Sequence, residues 1–193
     1  MNMKRVFKLH GFNVEDGGAA TIDNTSQYIL QAGFAPIDFD YGHLGLVGVV
    51  LFNHNLAQAL KSQLKPGDCV VAHSNGAAIA VRAAELGAQI DTLILINPAL
   101  KSDYQFPKSI RKVVIYWTKH DKPVKISRAV RWLTIGMCKW GAMGATGYTG
   151  PKDDRVTNFD MSNKIFGHSD VLQPTQLKLW FGKNLVSELR SNV

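Results

Sequence analysis

The chain has 193 residues, 46% of them hydrophobic and 19% charged, with two cysteines and a formal net charge of +7. That length and apolar content suit one domain with its own core, and exclude a disordered chain, a collagen-like repeat and a disulfide scaffold. The basic excess is local: residues 101–139 hold ten Lys or Arg against Asp103 and Asp121, a net +8, which leaves −1 for the rest.

Cys69 and Cys138 give neither a disulfide framework nor a zinc spacing, which points to a reducing, cytoplasmic setting. The first twelve residues carry Lys4, Arg5 and Lys8 without the apolar run of a signal peptide, and no stretch reaches membrane-spanning length.

In chain order, short apolar runs alternate with amphipathic stretches, the pattern of parallel strands covered on both faces by crossover helices. The predicted strands are Val6–His10, Pro36–Asp40, Cys69–His73, Thr92–Asn97, Val113–Thr118 and Val156–Phe159. Helical periodicity falls at Ala19–Gln31, Val49–Gln63, Ala77–Leu86, Ile126–Thr134 and Pro174–Glu188, the last with proline suited to a first helical turn. Ala32-Gly33, Pro66-Gly67, Gly87 and Asn97-Pro98 mark turns between them. The expected fold class is α/β: a single three-layer α/β/α sandwich over residues 1–193, with a mostly parallel sheet of about six strands. The glycine-rich stretch 136–151, with Trp132, Met137, Trp140, Met143 and Tyr148 in or beside it, reads as a mobile surface loop or small lid, or as a core helix followed by a packed loop.

The most informative segment is Ala72-His73-Ser74-Asn75-Gly76, where an apolar strand runs into small residues and then a helix. A serine on so sharp a turn needs small residues two positions to either side, and Ala72 and Gly76 supply them. The turn presents the Ser74 hydroxyl at the mouth of the sheet and aims the Asn75 amide and the helix N-terminus at developing negative charge. Further along, Thr118-Lys119-His120-Asp121 puts Asp121 in the loop after the fifth strand, and Phe166-Gly167-His168-Ser169-Asp170 puts His168 in a loop before the last helix. A serine hydroxyl needs an imidazole as base, and the imidazole a carboxylate to fix its tautomer; Ser74, His168 and Asp121 are the candidates for these roles. Asp153, Asp154, Asp160 and Asp170 compete with Asp121, with Asp170 the nearest rival for orienting the histidine.

These features resemble the α/β-hydrolase superfamily, whose chain order is nucleophile, acid, histidine, and in size the chain is similar to its small serine esterases and lipase-like members. The resemblance spans essentially the whole chain and rests on the elbow Ala72–Gly76, the His10-Gly11 pair in Leu9-His10-Gly11-Phe12, the Asp121-x-x-Val124 loop and the Gly167-His168 loop. It implies that His10 and Gly11 end a strand whose following loop supplies the second oxyanion amide, so that Phe12 joins Asn75 in that role, with Asn13 the near alternative. It also implies a minimal core in which the first strand corresponds to the family's third. The sheet order then becomes 2-1-3-4-5-6, with the loops after strands 1 and 3 facing each other at a topological switch point.

The expected function is that of a serine hydrolase, an esterase or thioesterase working through an acyl-enzyme on a small ester. No cofactor is implied, and no metal, since neither His-Glu-x-x-His nor a Cys-rich spacing occurs among His10, His43, His54, His73 and His120. The basic stretch suggests an anionic substrate. The alternative is a non-catalytic hydrolase-fold protein that holds nucleic acid or another polyanion through 101–139, and nucleic acid is the less favoured partner because all three triad candidates are present.

Overall fold

The computed structural model describes residues 3–11, 18–42, 46–122 and 141–191, with the backbone only over 46–51. Each apolar run forms a strand: β1 (Arg5–Leu9), β2 (Ala35–Asp38), β3 (Cys69–His73), β4 (Ile90–Ile96), β5 (Ile110–Trp117) and β6 (Val156–Asp160). All pair in parallel in the order β2-β1-β3-β4-β5-β6, the order expected. β3 is buried along its whole length, the reason its sequence shows no polar alternation.

Alternate residues feed two cores. Phe7, Leu9, Val70, Ala72, Leu93, Leu95, Val113 and Ile115 face one side and pack against Ala57 and Leu60 of α2 (Leu46–Gln63) and the alanine-rich face of α3 (Asn75–Glu85). Val6, Val71, Ile94, Ile96, Val114 and Tyr116 face the other, against Ile29 of α1 (Ser26–Gln31) and the C-terminal helices. Each Val, Leu, Ile or Phe among them contributes about 1.5–3 kcal/mol on burial.

Among the described residues between β5 and β6 lies a short helix, α4 (Met143–Thr146). The chain closes with α5 (Pro174–Gln176), a π-helical stretch Leu177–Phe181 and α6 (Gly182–Arg190). Gly182 lets the last helix approach α1: a Cβ there would lie 2.2 Å from the Tyr28 ring.

The element boundaries depart from expectation in instructive ways. The first helical stretch divides into a 3-10 turn, Ile22–Thr25, and α1. β4 begins two residues earlier than expected, at Ile90, with Asp91 held by Arg111 at the start of β5. α3 starts at Asn75 and not Ala77, because Ser74 turns the chain within a single residue. In the stretch expected as a loop or lid, residues 141–147 are packed: Met143 is fully buried, and a Cβ on Gly141 would lie 2.4 Å from the Lys101 Cα. Residues 136–140, and the helix expected at 126–134, lie outside the described residues.

Candidate active site

Ser74 sits where β3 ends and α3 begins, with φ 53° and ψ −116°, a backbone region costing about 1–3 kcal/mol that persists only where surroundings impose it. Here its N–H donates to Ile96 O (3.1 Å), and its carbonyl accepts from Ala77 N–H (3.2 Å) and Ala99 N–H (3.1 Å). Gly76 is obligatory by contact: a Cβ there would lie 2.7 Å from the His10 carbonyl oxygen and 2.8 Å from that of Leu9. Ala72 is fully buried in β3. Gly11 comes against the serine from β1, since a Cβ on it would lie 3.2 Å from both Ser74 Cβ and His73 Nδ1.

His10 is buried, stacked on Tyr41 with ring centroids 3.9 Å apart, and its Nδ1–H donates to Gly11 O (2.9 Å). The Tyr41 hydroxyl donates to the His10 carbonyl, fixing the peptide that leads into residues 12–17. Those residues, Phe12 and Asn13 among them, lie outside the described ones. Asn75 is fully buried; its side-chain amide exchanges two hydrogen bonds with that of Asn53 on α2, at 2.9 and 3.2 Å.

Asp121 follows β5 in a tight turn, its N–H donating to Thr118 O (3.0 Å), and is completely buried. His168 Nδ1 lies 2.9 Å from Asp121 Oδ1, with the imidazole 17% exposed. α4 closes over the acid: a Cβ on Gly144 would lie 2.7 Å from Asp121 Oδ2. Thr118 Oγ1–H donates to Ile165 O (2.7 Å), tying the acid loop to the histidine loop. The His168 carbonyl accepts from Asn97 Nδ2 (2.5 Å) and His73 Nε2 (3.2 Å). His73 is buried and its ring is tilted against that of His168, centroids 4.6 Å apart. Burial, then the neighbouring His168, pushes its pKa down to about 3.

No protein-family model matches the chain, and no curated protein matches its sequence. Solved structures do. The Pyrococcus furiosus esterase Pf2001 superposes with a TM-score of 0.63 at 15% identity, over 98% of this chain and 83% of that one. The esterase domain of a Rhodothermus marinus protein gives 0.61 at 13% identity, covering 97% and 87%. Carboxyl esterase 2 of Tuber melanosporum gives 0.59 at 11%, covering 98% and 79%. This chain has the α/β-hydrolase fold.

Within that fold, Ser74, Asp121 and His168 all lie at the C-terminal edge of the sheet, where ligands bind in open α/β folds. The rival acids have other partners. Asp153 pairs with Arg155, Asp154 with Lys152, and Asp160 accepts from Ser162 N–H at 2.8 Å. Asp170 packs its carboxylate over Gly167, where a Cβ would lie 2.6 Å from it, while Asp121 holds the imidazole nitrogen. His54 lies beside Arg82, and His120 packs on the exposed Phe166. Among the described residues no group of three His, Cys, Asp or Glu is placed to hold a metal, and no helix is long and apolar enough to cross a membrane.

Sequence reasoning passed over Tyr41, Asn53, Asn97 and Thr118. Asn97 had a local signal, the Asn-Pro pair, which reads as a turn but also marks a residue tolerant of left-handed backbone; its φ is 42°. Thr118 was placed at a strand end without a role. Tyr41 and Asn53 reach the site only through topology, and no local pattern announces them.

Proposed function

We propose that the protein is a serine hydrolase that cleaves a carboxylic ester or thioester. The observation that carries this reading is the 2.9 Å contact of His168 Nδ1 with the wholly buried Asp121, at the same sheet edge as a serine held on a strained elbow. In the proposed reaction Ser74 Oγ attacks the substrate carbonyl and its proton passes to His168 Nε2. The tetrahedral oxyanion collapses, the C–O or C–S bond to the leaving group breaks, and the leaving group takes the proton from His168. Water, deprotonated by the same imidazole, then attacks the acyl-serine, and the proton returns to Ser74 Oγ as the acid departs.

Asp121 holds the histidine in the tautomer with its proton on Nδ1, leaving Nε2 free as base, and stabilises the imidazolium. The backbone amides of Asn75 and Phe12 are proposed to receive the oxyanion; losing one such donor costs about 3–4 kcal/mol of transition-state stabilisation. The amide clasp with Asn53 would hold Asn75 in register for that role.

An ester with an anionic group suits the exposed Lys119 and Lys122 on either side of Asp121's turn. Polyanion binding as the whole function has less support, because Arg111 and Lys112 of the basic stretch are engaged by Asp91 and Glu188. A reducing, cytoplasmic compartment suits Cys69, a buried free thiol whose pKa burial pushes up to about 11.

The test is turnover of p-nitrophenyl acetate and butyrate together with labelling by a fluorophosphonate. Ser74→Ala is expected to lose turnover by at least about 10⁴-fold and to lose the label, with its fold intact. A folded wild type that neither takes the label nor cleaves short esters overturns the reading.

A further inference from the structure

Two buried donors from neighbouring strand ends converge on one backbone oxygen. His73, the last residue of β3, is 2% exposed, and Asn97, directly after β4, is fully buried. Both point at the carbonyl of His168, from 3.2 and 2.5 Å. A carbonyl can only accept, so the neutral His73 carries its proton on Nε2 and Asn97 presents its NH₂. A backbone carbonyl is satisfied by one donor. The second comes from a residue held at φ 42°, one of only two non-glycine residues with positive φ among those described, the other being Ser74.

We propose that this pair forms a latch on the His168 carbonyl that sets where the His168 ring stands, making His73 and Asn97 positioning residues for the base. The inference rests on the hydrolase reading for its catalytic meaning. Asp121 fixes only the Nδ1 end of the imidazole, and rotation about that contact would still sweep Nε2 through an arc. The loop is pinned upstream where Ile165 O accepts from Thr118. The latch pins it at His168 itself, and the tilted His73 ring closes off one side of the His168 ring. Burial also keeps His73 uncharged, so it adds no positive charge beside His168 when that ring takes up a proton.

The test uses His73→Leu, which keeps an apolar side chain and removes the donor, His73→Gln, which restores an N–H donor, and Asn97→Gly, which removes the other donor at a backbone angle glycine accepts. Each is measured for kcat and KM on p-nitrophenyl acetate and for the low-field NMR resonance of the His168 Nδ1 proton. A 1 Å misplacement of a catalytic group can cost about 100-fold, so His73→Leu and Asn97→Gly are expected to lower kcat by about 10- to 100-fold. KM should stay within about twofold, a loss realised in the transition state only. The low-field proton should broaden or vanish in both, and His73→Gln should recover both readouts.

Folded variants that keep wild-type kcat and an unchanged low-field proton overturn the latch, as does a His73→Gln no better than His73→Leu. Should His73→Leu fail to fold, Asn97→Gly and His73→Gln decide by the same readouts. A wild type inert to the fluorophosphonate defeats the hydrolase reading instead, and the NMR signal then still reports whether the two donors position His168.

Discussion

The two edges of the sheet treat polar groups in opposite ways. At the N-terminal edge, Arg5 binds Asp68, Arg111 binds Asp91 and Arg155 binds Asp153, pairs that keep partial access to water and satisfy themselves. In the groove there, about 350 Å³ between Pro66, Gly67, Ile90, Lys108, Ile110 and Arg155, Arg155 is bound to the Ile110 carbonyl and Arg111 to Asp91. At the C-terminal edge, His73, Asn75, Asn97 and Asp121 are buried almost completely, and both of the positive-φ residues other than glycine among those described are found there. His73 Nδ1 and Asn97 Oδ1 have no hydrogen-bond partner among the described residues. Leaving such an atom unsatisfied costs about 1–3 kcal/mol, an expense that only the remaining contacts of those side chains offset. One edge satisfies its polar groups in open pairs, and the other holds strain in place where the proposed chemistry would occur.

Substitution of one acid at each edge breaks that comparison most directly. Asp121→Asn removes the acceptor that selects the histidine tautomer, and kcat on p-nitrophenyl acetate is expected to fall about 10⁴-fold, equivalent to about 5 kcal/mol. Asp91→Asn removes the partner of a largely exposed Arg111, an interaction worth about 0–1 kcal/mol, and should leave kcat unchanged. Equal effects of the two on turnover would erase the distinction between the edges.

Glycines sharpen it next. Gly67, in the turn before β3, has φ +92° and nothing within 4 Å of where a Cβ would stand; Gly76 has His10 and Leu9 backbone oxygens within 2.8 Å. Gly67→Ala pays only for left-handed backbone, about 1 kcal/mol, while Gly76→Ala must push α3 away from β1 and should cost about 3 kcal/mol. Urea denaturation of both variants measures the difference, and turnover should fall for Gly76→Ala alone. A Gly76→Ala protein as stable as Gly67→Ala would mean that the elbow yields.

The sheet was legible because both its faces are covered: β3 and β4 must be continuous apolar runs, and the helices between them must carry periodic stripes. Order along the chain also put Ser74, Asp121 and His168 at strand ends on one edge, since parallel strands place every such loop together. What stayed hidden depends on side chains meeting across the topology. Lys8 looks like a surface charge in sequence, yet it is buried in β1 with its ammonium 2.6 Å from Asp23 and 2.5 Å from Asp38, the latter its neighbour on β2. Asn97 reads as a turn, and its amide acquires a role only because the histidine loop, 71 residues later, returns to the end of β4.

Acid titration separates the edges in the smallest increments, one pH unit at a time. His73 takes up a proton only near pH 3 in the folded protein, against 6.5 for an ordinary histidine, because burial opposes the charge. Between those values the unfolded chain binds more protons than the folded one, so stability falls as pH falls through the window, by at most about 1.4 kcal/mol per pH unit. Above pH 6.5 this contribution is fully present and flat. At the opposite edge Asp153, held below the usual carboxylate range by its hydrogen bond to Arg155, loses stabilisation only as pH falls below the ordinary carboxylate value of 3.8, and it keeps enough access to water for salt to screen the pair. Urea denaturation midpoints measured from pH 7 to pH 2.5 at low and high salt distinguish the two sources, the first lost from pH 6.5 downward and the second only below about pH 4. The His73 contribution should persist in high salt and disappear in His73→Gln, whereas the Arg155–Asp153 contribution should shrink in salt and survive that substitution. A pH slope unchanged by His73→Gln would mean that His73 accepts its proton as readily folded as unfolded, and that the buried edge is more open to water than its packing allows.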